Sequence, residues 1–127
     1  MIAIDTNVLV RLLTADDPSQ TERAVMLFRN EQILITKTVL LETEWVLRFS
    51  YRLSTEVIGA AFRRVFGLSQ VRIEDPFVTM AALQGYAGGM DFADALHWAS
   101  AGSAQAFATF DAALKKRAGW RAKVRLL

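Results

Sequence analysis

The stretch MIAIDTNVLVRLL (residues 1–13) decides the fold, because a short apolar run ends at Asp5 and a helical pattern begins directly after it. The stretch AFATFD (residues 106–111) has the same arrangement near the other end of the chain, with Asp111 after the apolar run. Apolar runs that pass straight into helices are typical of α/β proteins, in which ligands bind beyond the carboxyl ends of parallel strands. Both aspartates are therefore predicted to lie at strand ends where a site can form.

The rest of the chain alternates between strand-like and helix-like segments. With helices between them, strands are predicted at residues 2–5, 33–35, 71–73, 106–110 and 123–126. Such alternation predicts right-handed crossovers and a three-layer α/β/α sandwich with a mostly parallel sheet of four or five strands. No repeat or linker-like stretch interrupts the sequence, so a single domain over residues 1–127 is expected.

The composition limits the classes of protein to which the chain can belong. Apolar residues make up 53% of the 127 residues, enough for one domain to bury its own core. The absence of cysteine excludes disulfides, thiolate zinc sites and a cysteine nucleophile. The sequence has neither a signal-peptide pattern at its start nor an apolar run of about 18 residues. A soluble cytoplasmic protein without a membrane span is therefore predicted.

Helix periodicity separates Glu42 from the other acid of its helix. Three, four and seven residues after Glu42 the sequence has an apolar stripe, formed by Trp45, Val46 and Phe49. Glu42 is therefore predicted to face the core, where a carboxylate needs a compensating partner such as a metal ion. Glu44 has Arg48 four residues later, the spacing of an exposed ion pair, and is predicted to lie on the surface.

Two further acids, Asp91 and Asp94, lie three residues apart at the start of one predicted helix. Asp91 is predicted to be the N-cap, which leaves Asp94 in the first turn, near N–H groups that favour anions. Asp5 and Asp111 could also be simple caps of the helices that follow them. A doubly wound topology, however, brings strand ends and helix starts to one edge of the sheet. Acids gathered there repel one another unless a divalent cation neutralises them.

Other side chains near these acids have less specific patterns. Thr6, Asn7 and Thr109 would orient a carboxylate or a metal-bound water, or serve only as turn and cap residues. His97 is the only histidine, and because the sequence has no Gly-x-Ser-x-Gly elbow, a structural or peripheral role is predicted for it. Four aromatic residues at helical spacings are expected in the core or at an interface rather than in base stacking: Trp45, Phe49, Phe62 and Phe66.

The net charge of +2 hides a basic C-terminal segment. No acid follows Asp111, and the bases after it are Lys115, Lys116, Arg117, Arg121, Lys123 and Arg125. A basic segment next to a group of acids suits an enzyme that holds a polyanion by its phosphates and cuts it at a metal ion. Lys115, Lys116 and Arg117 are the candidates for phosphate contacts, and the alternative is a solvated helix and edge strand.

Four segments, in this order and at this spacing, resemble the PIN-domain ribonucleases and, more narrowly, the VapC-type toxins of bacterial type II toxin–antitoxin pairs. They are MIAIDTNVLVRLL, TVLLETEWVLR, GMDFADALH and FATFD, and the resemblance runs from residue 1 to about residue 118. By position, the four acids of that family fall on Asp5, Glu42, Asp94 and Asp111. Asp91 is an additional acid that either joins them or only caps its helix.

The resemblance implies a PIN-like endoribonuclease that depends on Mg²⁺ or Mn²⁺, is commonly a homodimer, and is held inactive by a cognate VapB-type antitoxin. Asp5 and Asp94 are the best candidates for direct metal ligands. Glu42 and Asp111 would complete the coordination shell or position and deprotonate the attacking water.

Two other interpretations stay open at the level of sequence. One is a different metal-dependent α/β phosphohydrolase, although a haloacid-dehalogenase-type enzyme would need Asp-x-Asp where this chain has Asp5-Thr6-Asn7. The other is a non-catalytic binding module whose acids only cap helices. Stabilisation by a divalent metal on thermal melting separates the binding module from a metal enzyme.

Overall fold

The computed structural model describes residues 1–119 and 123–127. In these residues the chain forms two compact units, Met1–Glu74 and Asp75–Leu127. The described strands alternate with helices and pair in parallel, so the predicted α/β class is confirmed. A single domain over residues 1–127 stays a prediction.

The first unit contains a parallel sheet and four helices. Its elements are β1 (Ile2–Ala3), α1 (Thr6–Thr14), α2 (Pro18–Asn30), β2 (Ile33–Ile35), α3 (Lys37–Phe49), α4 (Thr55–Phe66) and β3 (Val71–Ile73). β2 lies between β1 and β3, and its Ile33 and Ile35 have no exposed area. The sequence predicts a buried first strand as well, which is wrong. Ile2 is 39% exposed because β1 is an outer strand of this three-stranded sheet.

Polar caps fix where the helices of the first unit begin. At the start of each helix, a side-chain oxygen accepts a hydrogen bond from a backbone N–H of the first turn. The four acceptors are Asp5, Asp17, Thr36 and Ser54. Each cap satisfies an N–H that the helix leaves without a partner, and loss of a cap costs about 1 kcal/mol. Because Asp5 already caps α1, β1 ends at Ala3 rather than at the predicted residue 5.

A hydrogen-bond cluster around Asp16 ties the turn between α1 and α2 to the residues that follow α3. Tyr51 Oη donates to Asp16 Oδ2 at 2.5 Å. Arg11 Nη1 donates to Asp16 Oδ1 at 3.0 Å and to Tyr51 Oη at 3.2 Å, and Thr14 Oγ1 also donates to Asp16 Oδ1. The Tyr51 hydrogen bond is the main cause that holds the pKa of the Asp16 carboxyl below its usual value. The cluster therefore favours the charged form of Asp16.

The second unit is built around a helix pair and a two-stranded parallel sheet. Its described elements are α5 (Pro76–Ala87), α6 (Phe92–Ser100), β4 (Phe107–Thr109), α7 (Ala112–Ala118) and β5 (Val124–Leu126). α5 packs on α6, and the ring of Tyr86 meets the buried ring of Phe92 edge-on at 5.1 Å. β4 pairs with β5 so that Phe107 lies beside Val124. Among the described residues of the whole chain, no helix has the length and apolar character that a bilayer crossing requires.

Candidate functional site

In the first unit, the residues that follow β1 and one face of α3 border a cavity of about 500 Å³. Its lining residues are Asp5, Thr6, Asn7, Thr38, Val39, Glu42 and Val46. Two of the four acids selected from the sequence, Asp5 and Glu42, thus lie at one cavity, together with Thr6 and Asn7. This cavity is where the first unit offers carboxylate oxygens to a ligand.

Hydrogen bonds hold both of these carboxylates in place. Asp5 Oδ1 accepts from Val8 N at 3.2 Å, and this cap leaves the second oxygen of Asp5 for a ligand. Thr6 Oγ1 donates to Glu42 Oε1. Thr6 is only 8% exposed, so packing fixes its hydroxyl, and the hydroxyl in turn fixes the Glu42 carboxylate. The carboxylates of Asp5 and Glu42 are therefore already ordered, so binding a ligand costs them little conformational entropy.

The prediction that Glu42 faces the core and Glu44 the surface is wrong. Glu44 is 1% exposed, whereas Glu42 lies on the exposed face of α3. The reason is electrostatic, since Arg48 Nη2 donates to Glu44 Oε1 at 3.3 Å and Arg48 Nε lies 2.9 Å from Glu44 Oε2 as an ion pair. A buried carboxylate paired in this way is tolerated. Glu42 is a site candidate because it borders the cavity, not because it is buried.

The same inversion changes the placement of the aromatic residues on α3. Trp45 and Phe49 are 56% and 54% exposed, so neither lies in the core, and an interface, the other expected location, stays a prediction for both. Phe62 of α4, in contrast, is fully buried, as a core residue should be. The exposed face of α3 thus carries an acid and two aromatic rings.

Three cavity residues on α3 were not predicted from the sequence: Thr38, Val39 and Val46. Thr38 and Val46 lie four residues before and four residues after Glu42, a spacing that places these three on one helix face. That spacing is the signal that would have found them. The apolar stripe beyond Glu42 was instead assigned to the core.

In the second unit, Asp91 and Asp111 are both N-caps. Asp91 Oδ2 accepts from two N–H groups of the first turn of α6, at 3.1 and 3.4 Å. Asp111 Oδ1 accepts from two N–H groups of the first turn of α7, at 2.9 and 3.2 Å. Thr109 Oγ1 accepts from Asp111 N at 3.0 Å and stiffens this turn. Each cap uses one carboxylate oxygen, which accepts both N–H groups.

Asp94, in the first turn of α6, is the acid with the most unusual electrostatic surroundings. Burial raises the pKa of its carboxyl above the usual value, and the negative charges of Asp91 and Asp111 raise it further. His97 opposes these effects and lowers the pKa. The three aspartates of this unit therefore influence one another, and a bound cation would relieve their repulsion.

The basic residues of α7 differ in what they contact. Lys115 and Lys116 are exposed. Arg117 Nη1 donates to the backbone oxygen of Gly89, in the turn that precedes α6. Gly89 has a φ of 101°, a conformation that favours glycine, so the turn depends on both residues. Arg117 thus has a structural contact, and Arg121 of the predicted basic segment lies outside the described residues.

The acids of the two units are suitable donors for a divalent metal. All of them offer oxygen, which Mg²⁺ and Mn²⁺ prefer. Neither unit has, within its described part, three acidic or histidine side chains already arranged as a metal site. Mg²⁺ commonly binds through one or two carboxylates and keeps several waters, so a pair such as Asp5 and Glu42 meets its requirement. The donor chemistry therefore fits Mg²⁺ or Mn²⁺, with water and substrate phosphate completing the shell.

The comparison with protein families gives one match, to the PIN domain, over residues 2–119. Since this match covers most of the 127 residues, the chain belongs to the PIN domain family. PIN domains are typically nucleases and generally bind divalent metals such as Mg²⁺ or Mn²⁺. Family membership thus supports a metal-dependent nuclease, in agreement with the oxygen donors described above. Comparisons with curated proteins and with solved structures found no match.

Proposed function

We propose that this PIN-domain protein is a Mg²⁺-dependent endoribonuclease and the VapC-type toxin of a type II toxin–antitoxin pair. The main support is the cavity of the first unit, where Asp5 and Glu42 lie together in a chain of a nuclease family. In this proposal the protein is a single cytoplasmic PIN domain that forms a homodimer. A VapB-type antitoxin inhibits it, and Mn²⁺ can replace Mg²⁺.

The proposal assigns a role to each of the four acids. Asp5 and Asp94 would hold the metal ion, which would supply a lowered pKa to a coordinated water and a positive charge opposite the phosphoryl group. Glu42 and Asp111 position the attacking water and accept its proton, and the Thr6 hydroxyl keeps Glu42 Oε1 in a fixed direction.

Neighbouring polar residues support these acids. Thr109 holds the backbone of Asp111 and so sets the direction of its carboxylate. Asp91 caps α6 and adds negative charge next to Asp94. Asn7 lines the cavity and would hydrogen-bond to a carboxylate or a water there. These contacts act by orienting the acids, as outer groups of metal sites commonly do.

Phosphate binding is assigned to the exposed lysines of α7. The side chains of Lys115 and Lys116 are exposed, so they can contact the phosphates of a polyanion without a change in the fold. Arg117 is a weaker candidate, because its guanidinium already binds Gly89. Its contribution is assigned to the turn before α6, and through that turn to the position of Asp91.

Metal-dependent cleavage of RNA by the purified protein tests the proposal. A structured cellular RNA and an unstructured RNA are incubated with the protein in EDTA, in Mg²⁺ and in Mn²⁺. Cleavage in either metal, and its loss in EDTA, is the expected result. Cleavage that persists in EDTA would indicate a contaminating metal-free ribonuclease. Hydrolysis of a small phosphomonoester without RNA cleavage would favour the other α/β phosphohydrolase.

The toxin assignment needs a separate experiment. The protein is expressed alone and together with any small reading frame that lies next to its gene, and cell growth and RNA cleavage are measured. We expect growth arrest without the neighbour, and suppression of both effects when the two proteins co-purify. Growth arrest that the co-expressed neighbouring protein does not relieve would contradict the toxin assignment but not the nuclease proposal.

A further inference from the structure

A second cavity of the first unit, of about 410 Å³, lies between α1 and α2. This cavity, called the α1–α2 cavity below, has a volume within the range of cavities that bind small molecules. Its apolar part is formed by Val8, Ala24 and Leu27, of which Ala24 is 6% exposed and the other two are half-buried. The apolar body of a ligand would be removed from water against these side chains.

The polar part of the α1–α2 cavity is rich in hydrogen-bond donors. It consists of Asn7, Arg11, Gln20 and Arg23, and no acid lies among the described lining residues. Arg11 Nε donates to Gln20 Oε1 at 2.7 Å. Since a guanidinium can only donate, this contact fixes the amide oxygen of Gln20 and leaves its N–H₂ group as a donor for a ligand.

The α1–α2 cavity carries one uncompensated positive charge. Arg11 Nη1 lies 3.0 Å from Asp16 Oδ1, and this ion pair has no net charge. Arg23 is exposed, and its guanidinium has no hydrogen-bond or ion-pair partner in residues 1–119 and 123–127. A ligand with a single negative charge therefore balances Arg23, whereas a polyanion would add charge that the cavity does not balance. A carboxylate meets this condition and also matches the planar guanidinium with two parallel hydrogen bonds.

The donors and the apolar side chains of α2 lie on the same face of this helix. Gln20, Arg23, Ala24 and Leu27 are spaced by three, four and seven residues from the first to the last, which is the spacing of one helix face. A single small molecule can therefore contact the charged and the apolar part of the cavity together.

We propose that the α1–α2 cavity binds a small organic carboxylate. The carboxylate accepts hydrogen bonds from Arg23 and from the Gln20 amide, and the apolar body packs against Ala24 and Leu27. Asn7 borders this cavity and the cavity that holds the candidate catalytic acids, so the ligand would lie next to that site. The inference goes beyond the proposed nuclease function and does not depend on it.

Binding of phenylbutyrate and of its neutral amide, phenylbutyramide, to the purified protein tests this inference. The two molecules share an apolar body and differ in charge. Titrations followed by the backbone amide signals in NMR spectra give both the dissociation constant and the place of binding. We expect saturable binding of phenylbutyrate at millimolar concentration or below, with shifts concentrated in α1 and α2. The neutral amide should bind at least about 10-fold more weakly, because it cannot form the charged hydrogen bonds.

R23Q is the test variant and R29Q is its matched control. Both remove one exposed arginine of α2, but Arg29 lies in the last turn and is not a lining residue of the cavity. R23Q should bind phenylbutyrate at least about 10-fold more weakly than wild type and should no longer prefer it to the amide. R29Q should bind like wild type. R23K keeps the charge without the planar fork and should bind with an affinity between those of wild type and R23Q.

Several results would overturn the inference. Equal affinities of wild type for phenylbutyrate and its amide would do so, as would the absence of saturable binding at millimolar concentration. Equal losses in R23Q and R29Q would show a general attraction between charges, and shifts confined to residues outside α1 and α2 would place the ligand elsewhere. Binding of an acidic peptide without binding of phenylbutyrate would assign the cavity to a protein partner and likewise overturn it.

Discussion

Arg48 forms an ion pair with Glu44, a carboxylate that is 1% exposed: Arg48 Nε lies 2.9 Å from Glu44 Oε2, and Arg48 Nη2 donates to Glu44 Oε1 at 3.3 Å. This pair turns the Leu40, Thr43, Glu44 and Leu47 face of α3 inward. Glu42, Trp45 and Phe49 consequently face outward. The outward position of Glu42, a candidate catalytic acid, thus depends on an ion pair between two residues that lie four positions apart in the sequence.

Substitution of Arg48 by alanine should destabilise the first unit strongly. The Glu44 carboxylate would stay buried without its guanidinium, and breaking a buried pair in this way costs about 3 kcal/mol. Unfolding in urea should move to a clearly lower concentration. The double variant E44M/R48M removes both charges and should recover most of the loss, because apolar side chains of similar volume replace a buried pair at little cost. Equal urea midpoints for R48A and wild type would refute the importance of the pair.

The stability of the protein should depend on pH through Asp16. Its pKa lies below the usual value of 3.8, first because of the Tyr51 hydroxyl. A carboxyl with a lowered pKa in the folded state adds stability above 3.8 and loses it as pH falls through the folded pKa. Y51F should therefore be less stable than wild type near neutral pH, and the difference should shrink in acid. Urea unfolding over a range of acidic pH values measures this.

The control for this prediction is Y51F in the D16N variant, which lacks the Asp16 carboxylate. Y51F also removes the hydrogen bond that Tyr51 Oη accepts from Arg11. In a D16N background the effect of Y51F should thus be independent of pH. A pH-dependent difference that persists in D16N would assign the titration to another group.

Substitution of Arg117 should affect stability, whereas substitution of Lys115 and Lys116 should affect RNA binding. R117A loses the bond to Gly89 and should lower the free energy of unfolding by about 1 kcal/mol. K115A/K116A should change stability by less than about 0.5 kcal/mol. For RNA binding, each lysine removed should reduce the slope of log affinity against log salt by about 0.7. Urea unfolding and salt titrations of RNA binding measure both effects, and an unchanged salt slope would exclude these lysines from the RNA contact.

Mg²⁺ should stabilise the protein through Asp94. At a Mg²⁺ concentration about 100-fold above the dissociation constant, binding adds about 2.7 kcal/mol to the free energy of unfolding. D94N should melt at least as high as wild type without metal, because like charges and burial disfavour the ionised Asp94. D94N should lose most of the increase in the free energy of unfolding that Mg²⁺ causes in wild type. E56Q, an exposed acid in the first turn of α4, is the control and should keep the increase. An equal Mg²⁺-dependent increase in D94N would remove Asp94 from the ligand set.

The sequence predicted the strand and helix order well, because caps and apolar runs are local signals. Asp91 and Asp111 cap their helices as expected. The ends of the first and fourth strands were placed too late, at residues 5 and 110, since a cap and a strand residue look alike after an apolar run. These errors are of one or two residues and leave the acids at the strand-to-helix turns.

The face of α3 could not be predicted from periodicity alone. On α3, two stripes of residues have the same helical spacing, and either could be the buried face. One stripe is apolar and contains Trp45, and the other is mixed and contains Glu44. The apolar stripe is exposed because the Arg48 pair compensates the charge of Glu44, a contact whose burial no sequence pattern reveals. The Asp16 cluster was missed for a similar reason, since Tyr51 is 35 residues away in sequence.

The most direct test of the account compares RNA cleavage by D5N and D17N in Mg²⁺. Both aspartates cap a helix of the first unit, and asparagine caps a helix about as well as aspartate, so neither variant should unfold. Only Asp5 borders the cavity with Glu42. We expect D5N to cleave at least about 100-fold more slowly under single-turnover conditions and D17N to cleave like wild type. Equal cleavage rates for D5N and wild type would contradict it.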